Sequence, residues 1–116
     1  MPSLALVEQA RLHVRRHFAR HIPKWMTFHD LEHTLSVVRA ALDIGRGMGL
    51  NVDHLRTVEI AALFHDTGYA SAYHGHEKKS VLLAMTFLKE HHASAVLTRQ
   101  VSALILATRM GERPRT

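Results

Sequence analysis

Apolar residues recur every three or four positions in five segments of this 116-residue chain, a spacing that predicts five helices. The first helix is expected from about Ser3 to His21, with Ser3 as its N-cap. No segment alternates apolar and polar residues for long enough to indicate a strand. The pattern therefore predicts an all-α bundle that forms a single domain.

Glycines and capping residues predict where the next two helices begin and end. The second helix is expected near Thr27, where Thr27 and Asp30 have the spacing of a capping box, and it should stop in the glycine-rich segment 45–49. Asn51 or Asp53 is expected to cap the third helix.

The third helix is expected to carry His65 and Asp66 in its last turn, with Gly68 just beyond as the residue that ends it. A fourth helix should begin around His76, and a fifth should run from near Ser94 to Met110 or Gly111. The apolar positions expected to be buried on the five helices include Leu4, Val7, Val14, Phe18, Leu35, Val38, Leu55, Val58, Ala62, Leu63, Val81, Ala84, Met85, Leu88, Leu97, Val101, Leu104 and Ile105.

The segment 68–75 between the third and fourth helices is predicted to be irregular, with two glycines and two tyrosines. It follows the most polar end of the third helix, so a lid or pocket wall is one interpretation. A plain connecting loop fits the composition equally well.

Composition excludes several kinds of protein. There is no cysteine, so disulfides, thiolate metal sites and cysteine nucleophiles are excluded, and a cytoplasmic location is predicted. No apolar run approaches the roughly 20 residues that span a bilayer, so we expect no membrane association.

The net charge of +5 suits an anionic partner such as a small phosphorylated molecule. Nucleic acid is an unlikely partner on composition, because the basic residues are dispersed and few aromatic residues accompany them. Most of the eleven histidines are expected at the surface or at helix ends, namely His13, His17, His21, His54, His91 and His92.

The pair His65-Asp66 is the strongest candidate for chemistry, since it ends the apolar run 60–64. Alone, it fits a helix C-terminus as well as it fits a metal site. Burying an imidazole and a carboxylate without partners costs several kcal/mol, however, and a metal ion would be such a partner. His33, on the second helix, is a third candidate ligand, although a lone histidine there would more often be an ordinary core or surface residue.

Three segments together resemble the HD-domain superfamily of metal-dependent phosphohydrolases. They are Phe28-His29-x-x-x-His33, then Ala61-Ala62-Leu63-Phe64-His65-Asp66-Thr67-Gly68-Tyr69, then His76-Glu77-Lys78-Lys79-Ser80. The resemblance covers about residues 25–110 and implies an HD-type helical bundle. It also implies hydrolysis of a nucleotide or another small phosphate ester with a divalent metal ion, which is Mn, Fe, Ni, Zn or Mg.

Carried onto this chain, the resemblance implies His33, His65 and Asp66 as metal ligands, with His76 as a further candidate. Asp66 and Glu77 are then the candidate catalytic residues. Candidate substrate contacts are His29, Lys78 and Arg109, and Arg39 and Lys79 are further basic candidates that are more often plain surface charges.

The sequence departs from the family in one respect, since no aspartate follows Asp66 to serve as the family's last ligand. This departure has three explanations, namely a fragment of a longer protein, loss of the ligand, or a ligand supplied by a neighbouring chain, and it favours a domain that is truncated or naturally shortened at its C-terminal end. It also supports an alternative interpretation, a non-catalytic HD-like module that binds a nucleotide or a protein. A shortened bundle would expose apolar surface, so a homodimer through the first or fifth helix is a further prediction. DNA or RNA binding is a third hypothesis that rests on the charge alone.

Overall fold

The structure is a computed structural model that describes the backbone of residues 2–21, 24–70 and 76–111, and the side chains of 2–21, 31–68 and 78–107. These residues form α1 (Leu4–His21), α2 (Lys24–Gly47), α3 (Val52–Phe64), a short 3-10 turn (Thr67–Ala70), α4 (His76–Glu90) and α5 (Ala95–Gly111). The predicted all-α bundle of five helices is confirmed, and no helix within the described ranges is long and apolar enough to cross a membrane.

Helix α3 lies at the centre of the bundle. It contacts α1, α2, α4 and α5, so the residues from Ile60 to Phe64 are all buried. A helix that is covered on every side has an apolar sequence all round, as this run does. The other buried apolar residues come from the four surrounding helices: Val7, Ala10, Val14, Phe18, Val38, Ala84, Phe87, Leu88, Leu97, Val101 and Ile105.

Side-chain oxygens cap three helices at their N-termini, where backbone amides lack partners within the helix. The hydroxyl of Ser3 accepts a hydrogen bond from the Leu6 amide at 3.1 Å, and Ser94 accepts one from the Leu97 amide at 3.1 Å. Of the two candidates for α3, Asn51 is the cap, and its side chain accepts from the His54 amide at 2.8 Å.

Helix α2 begins at Lys24, three residues before the predicted start, so the capping box at Thr27 and Asp30 was wrong. No glycine or proline stands between residues 24 and 27, and the helix backbone continues through them. Its C-terminus fits the prediction. Gly49 adopts a φ of 80° there, and the amide of Leu50 donates to the Gly45 carbonyl at 3.0 Å. Glycine adopts this left-handed conformation without steric strain.

Three apolar residues predicted to be buried are exposed. Leu4, Met85 and Leu104 leave 56%, 41% and 39% of their surface accessible, whereas Val14, Leu88 and Val101 on the same helices are buried. The apolar stripe on each of these helices is wider than the face that its neighbours cover. Periodicity identifies the stripe, and packing decides which side of it is buried.

Candidate metal centre

Residues from α2 and from the end of α3 meet at one point on the bundle. The Nε2 atom of His33 lies 3.5 Å from Oδ2 of Asp66, and the Nε2 atom of His65 lies 3.1 Å from the same oxygen. One ligand atom from each of the three residues lies within 4.8 Å of the others. The structure thus brings together the three side chains that the sequence singled out on separate helices.

His65 is held by its own helix. Helix α3 ends at Phe64, so His65 is the C-capping residue and does not lie in the last turn as predicted. The carbonyl oxygen of Ala62 lies 3.4 Å from the His65 amide and 2.6 Å from its Nδ1 atom. A carbonyl oxygen can only accept, so Nδ1 carries a proton and donates it. Nε2 is therefore the nitrogen that faces Asp66.

The donor set fits a divalent cation. When His65 is neutral, with its proton on Nδ1, it presents the lone pair of Nε2 to a carboxylate oxygen only 3.1 Å away. A cation between the two atoms would remove this repulsion. Ligand atoms about 2.1 Å from one ion are about 3.0–3.5 Å apart at ordinary coordination angles, and the two measured separations are 3.1 and 3.5 Å. Two imidazoles and a carboxylate suit Zn, Fe, Mn and Ni.

A buried serine, Ser80, fixes the backbone at His65 and Asp66. The Ser80 hydroxyl, on α4, donates to the His65 carbonyl at 2.9 Å and accepts from the Gly68 amide at 2.8 Å. Ser80 is fully buried. It therefore joins both ends of the segment 65–68, which we call the site turn, to the first part of α4.

The site turn also closes on α3 through Thr67. Its buried hydroxyl donates to the Phe64 carbonyl at 2.7 Å, and a 3-10 turn starts at this residue. Helix α3 ends at Phe64 and Gly68 lies inside that 3-10 turn, so the expectation that Gly68 ends the helix was wrong. The hydroxyls of Thr67 and Ser80 take up backbone groups that a glycine C-cap would otherwise satisfy.

Two histidines of α1 lie against this region, although they were predicted to be surface residues. His17 donates through Nε2 to the Thr67 carbonyl at 3.0 Å, and His13 packs against the rings of Phe64 and Phe87, with centroids 5.8 and 5.1 Å away. Burial lowers the pKa of both imidazoles, and for His17 the hydrogen bond to Thr67 partly opposes that shift. His17 therefore supports the site turn from the side of α1, and His13 packs beside it against the end of α3.

Sequence reasoning missed Ser80, Thr67 and His17 as supports for the site. The signal for Ser80 was present, since it lies four residues before Ala84 on the buried side of α4. A hydroxyl in an otherwise apolar row predicts a buried hydrogen bond. His17 carried no such signal, because it stands among the arginines of α1.

The remaining candidates fall into two groups. Arg39 on α2 and Lys78 and Lys79 on α4 are exposed. The side chains of His29, His76, Glu77 and Arg109 lie outside the described residues, as do residues 71–75 of the segment 68–75 that was considered as a lid. The roles predicted for these residues stay predictions.

A comparison with protein-family models finds the HD domain over residues 30–112. The chain belongs to the HD domain family. The matched region contains His33, His65 and Asp66, and it extends from α2 to the end of α5. No curated protein matches the chain, and no solved structure does.

Membership of the family confirms the resemblance and supports a divalent metal ion as the cofactor class. HD domains are helical and belong to a superfamily of metal-dependent phosphohydrolases. The cluster of His33, His65 and Asp66 is a group in this HD domain that could hold such an ion.

Proposed function

We propose that this HD domain is a metal-dependent phosphohydrolase that acts on a nucleotide or another small phosphate ester. The observation that supports this proposal is the approach of His33, His65 and Asp66 to one another across two helices. Three protein ligands leave coordination positions open, and catalytic metal sites need such positions for substrate and water.

The residues have separate roles in this proposal. His33, His65 and Asp66 would hold a divalent ion, and such an ion would supply a lowered pKa of water and positive charge for a phosphoryl group. The Ala62 carbonyl keeps the proton of His65 on Nδ1, so Nε2 faces the centre. Glu77 is proposed to accept a proton from the attacking water. Basic residues such as Lys78 and Arg109 are proposed to contact the phosphate, with His29 and His76 completing the pocket.

One sequence feature favours a second candidate function. Residues 67–116 contain no aspartate, which is the residue type of the family's last ligand. An HD domain with three ligands can hold an ion more weakly and without turnover. The second candidate is therefore a non-catalytic module that binds a nucleotide or a protein.

Metal content is the first test. Purified protein is dialysed against Mn²⁺ and then analysed for bound ions, beside the double variant His65→Ala/Asp66→Ala. His54→Ala removes an exposed histidine on α3 and is the matched control. We expect about one ion per chain in wild type and in the control, and none in the double variant.

Phosphate release from nucleotides and simple phosphate esters then separates the two candidates. Metal-dependent release that disappears in the double variant supports the hydrolase. A bound ion without any release favours the module, and no bound ion in any sample contradicts the proposed function.

A further inference from the structure

A small apolar cavity is lined by one residue of the candidate metal centre, His65. Its volume is about 180 Å³, and it lies between α2, α3 and α5. Val37 and Ala41 line it from α2, Val58 and Ala62 from α3, and Leu104 from α5, and among the side chains that the structure describes His65 is the one polar member of the lining. The proposed chemistry makes no use of this space.

Helix geometry places the cavity beside the cluster. Residues four apart on a helix lie on one side, so His33, Val37 and Ala41 form a row along α2. Val58, Ala62 and His65 form the facing row at the C-terminal end of α3. Each row has a candidate ligand at one end and is apolar in the next turn. Because His65 belongs both to the cluster and to the cavity lining, the cavity lies next to the metal centre in the groove between the two helices, and Leu104 of α5 borders it.

We propose that this cavity binds the organic group of the substrate, and that the substrate is a phosphate ester of a small apolar alcohol or phenol. The inference rests on the proposed function, since the cluster has to bind the phosphate. A cavity of roughly 150 Å³ lined by apolar side chains holds one benzene ring, so this cavity has room for a single ring or a short alkyl chain. A nucleoside is larger, and its ribose hydroxyls would find no hydrogen-bond partners among Val37, Ala41, Val58 and Leu104.

Alkylphosphonates test the proposal without turnover, because their carbon–phosphorus bond is not hydrolysed. Methyl-, propyl-, butyl- and phenylphosphonate are titrated calorimetrically into the Mn²⁺-loaded protein. Each CH₂ group transferred from water into an apolar site increases affinity by about three- to fourfold. We therefore expect butylphosphonate to bind about 30-fold more tightly than methylphosphonate. Among hydrolysable esters, butyl and phenyl phosphate should exceed glycerol phosphate and nucleoside monophosphates in kcat/KM.

Two variants test the cavity itself. Ala41→Leu fills it from α2 and should abolish the preference for butyl- over methylphosphonate while Mn²⁺ still binds. Ala40→Leu adds the same side chain at the exposed neighbouring position and should change nothing. Leu104→Ala enlarges the cavity and should move the preferred chain length upward, which tests the proposal even where Ala41→Leu does not fold.

The outcomes separate this inference from the proposed function. Mn²⁺ and methylphosphonate binding without any dependence on chain length overturns the inference and leaves the hydrolase standing. A chain-length preference that is equal in wild type, Ala41→Leu and Leu104→Ala also overturns it. If the wild-type protein binds neither Mn²⁺ nor any of the phosphonates, both proposals are overturned.

Discussion

The two sides of the candidate metal centre differ in how firmly the fold holds them. His65 is buried, with 7% of its side chain exposed, and its ring and backbone are hydrogen-bonded to Ala62 and Ser80. His33 stands on the surface of α2 with 63% of its side chain exposed. One side is oriented by packing and hydrogen bonds before any ion binds, whereas the other keeps rotamer freedom that binding would have to remove.

This difference indicates that the two sides of the centre have different roles in binding an ion. The site turn positions His65 and Asp66 together, so the entropic cost of ordering two of the three ligands is met during folding. The exposed imidazole of His33 is then free to complete the coordination and to adjust to the ion or substrate. The same substitution should therefore weaken metal binding more at His65 than at His33.

The largest effect should come from comparing single removals of the two imidazoles. We expect His65→Ala to weaken Mn²⁺ binding by more than about 100-fold, since it removes a ligand and the hydrogen bond that orients it. His33→Ala should cost roughly tenfold, because an exposed ligand that is not pre-oriented contributes less. Calorimetric titration measures both affinities.

Added imidazole gives a second readout of the same comparison. It should partly restore Mn²⁺ binding to His33→Ala, where solvent reaches the vacated position, and should not restore it to His65→Ala. Equal losses and equal rescue would show that the two sides are equivalent.

The next effect in size is that of Ser80, which contacts no ion. Ser80→Ala leaves the His65 carbonyl and the Gly68 amide without the hydroxyl that joins them. We expect a loss of about 1–3 kcal/mol in the free energy of unfolding, and a drop of about tenfold in Mn²⁺ affinity because the site turn loosens. Urea denaturation and calorimetry provide the two measurements.

Ser102→Ala is the matched control. Its hydroxyl donates to the Thr98 carbonyl within α5, far from the site turn in sequence. It should cost less stability and leave Mn²⁺ affinity unchanged. A Ser80→Ala protein that loses stability but binds Mn²⁺ normally would limit Ser80 to a structural role.

The smallest effect should be the pH dependence due to the histidines of α1. Burial lowers the pKa of His13 and His17 in the folded protein below the usual 6.5. Below pH 6.5 the unfolded chain therefore takes up protons that the folded chain does not. The free energy of unfolding decreases as the pH is lowered, until the pH is below the lowered pKa values of the folded protein. At pH 7 and above this contribution to stability is fully present.

Urea denaturation of chelator-treated protein between pH 7.5 and pH 5 measures this dependence. The double variant His13→Gln/His17→Gln should have a shallower slope than wild type, and His54→Gln, at an exposed position, should keep the wild-type slope. Identical slopes in all three proteins would show that the two buried imidazoles do not contribute.

The five helices and the three clustered residues could be predicted from the sequence, because both depend on local patterns. Apolar spacing located the helices, and the pair His65-Asp66 at the end of an apolar run indicated a partner. The predicted start of α2 was wrong because no glycine or proline stops the helix between residues 24 and 27. The predicted burial of Met85 and Leu104 was wrong because burial depends on which neighbouring helix covers a given face. The hydrogen bonds of His17 and Ser80 join residues 50 and 15 positions apart, which no local pattern encodes.

The Ala62 carbonyl has a consequence for anyone who wishes to rebuild this centre in another bundle. That single oxygen accepts hydrogen bonds from both the amide and the ring of His65. The same carbonyl therefore takes part in ending α3 and in fixing the tautomer of the His65 ring. Placing His65 and Asp66 in the middle of an uninterrupted helix would reproduce these two side chains and lose their orientation. A designer would have to copy the C-terminus of α3 together with Ser80, whose hydroxyl is hydrogen-bonded to His65 and Gly68.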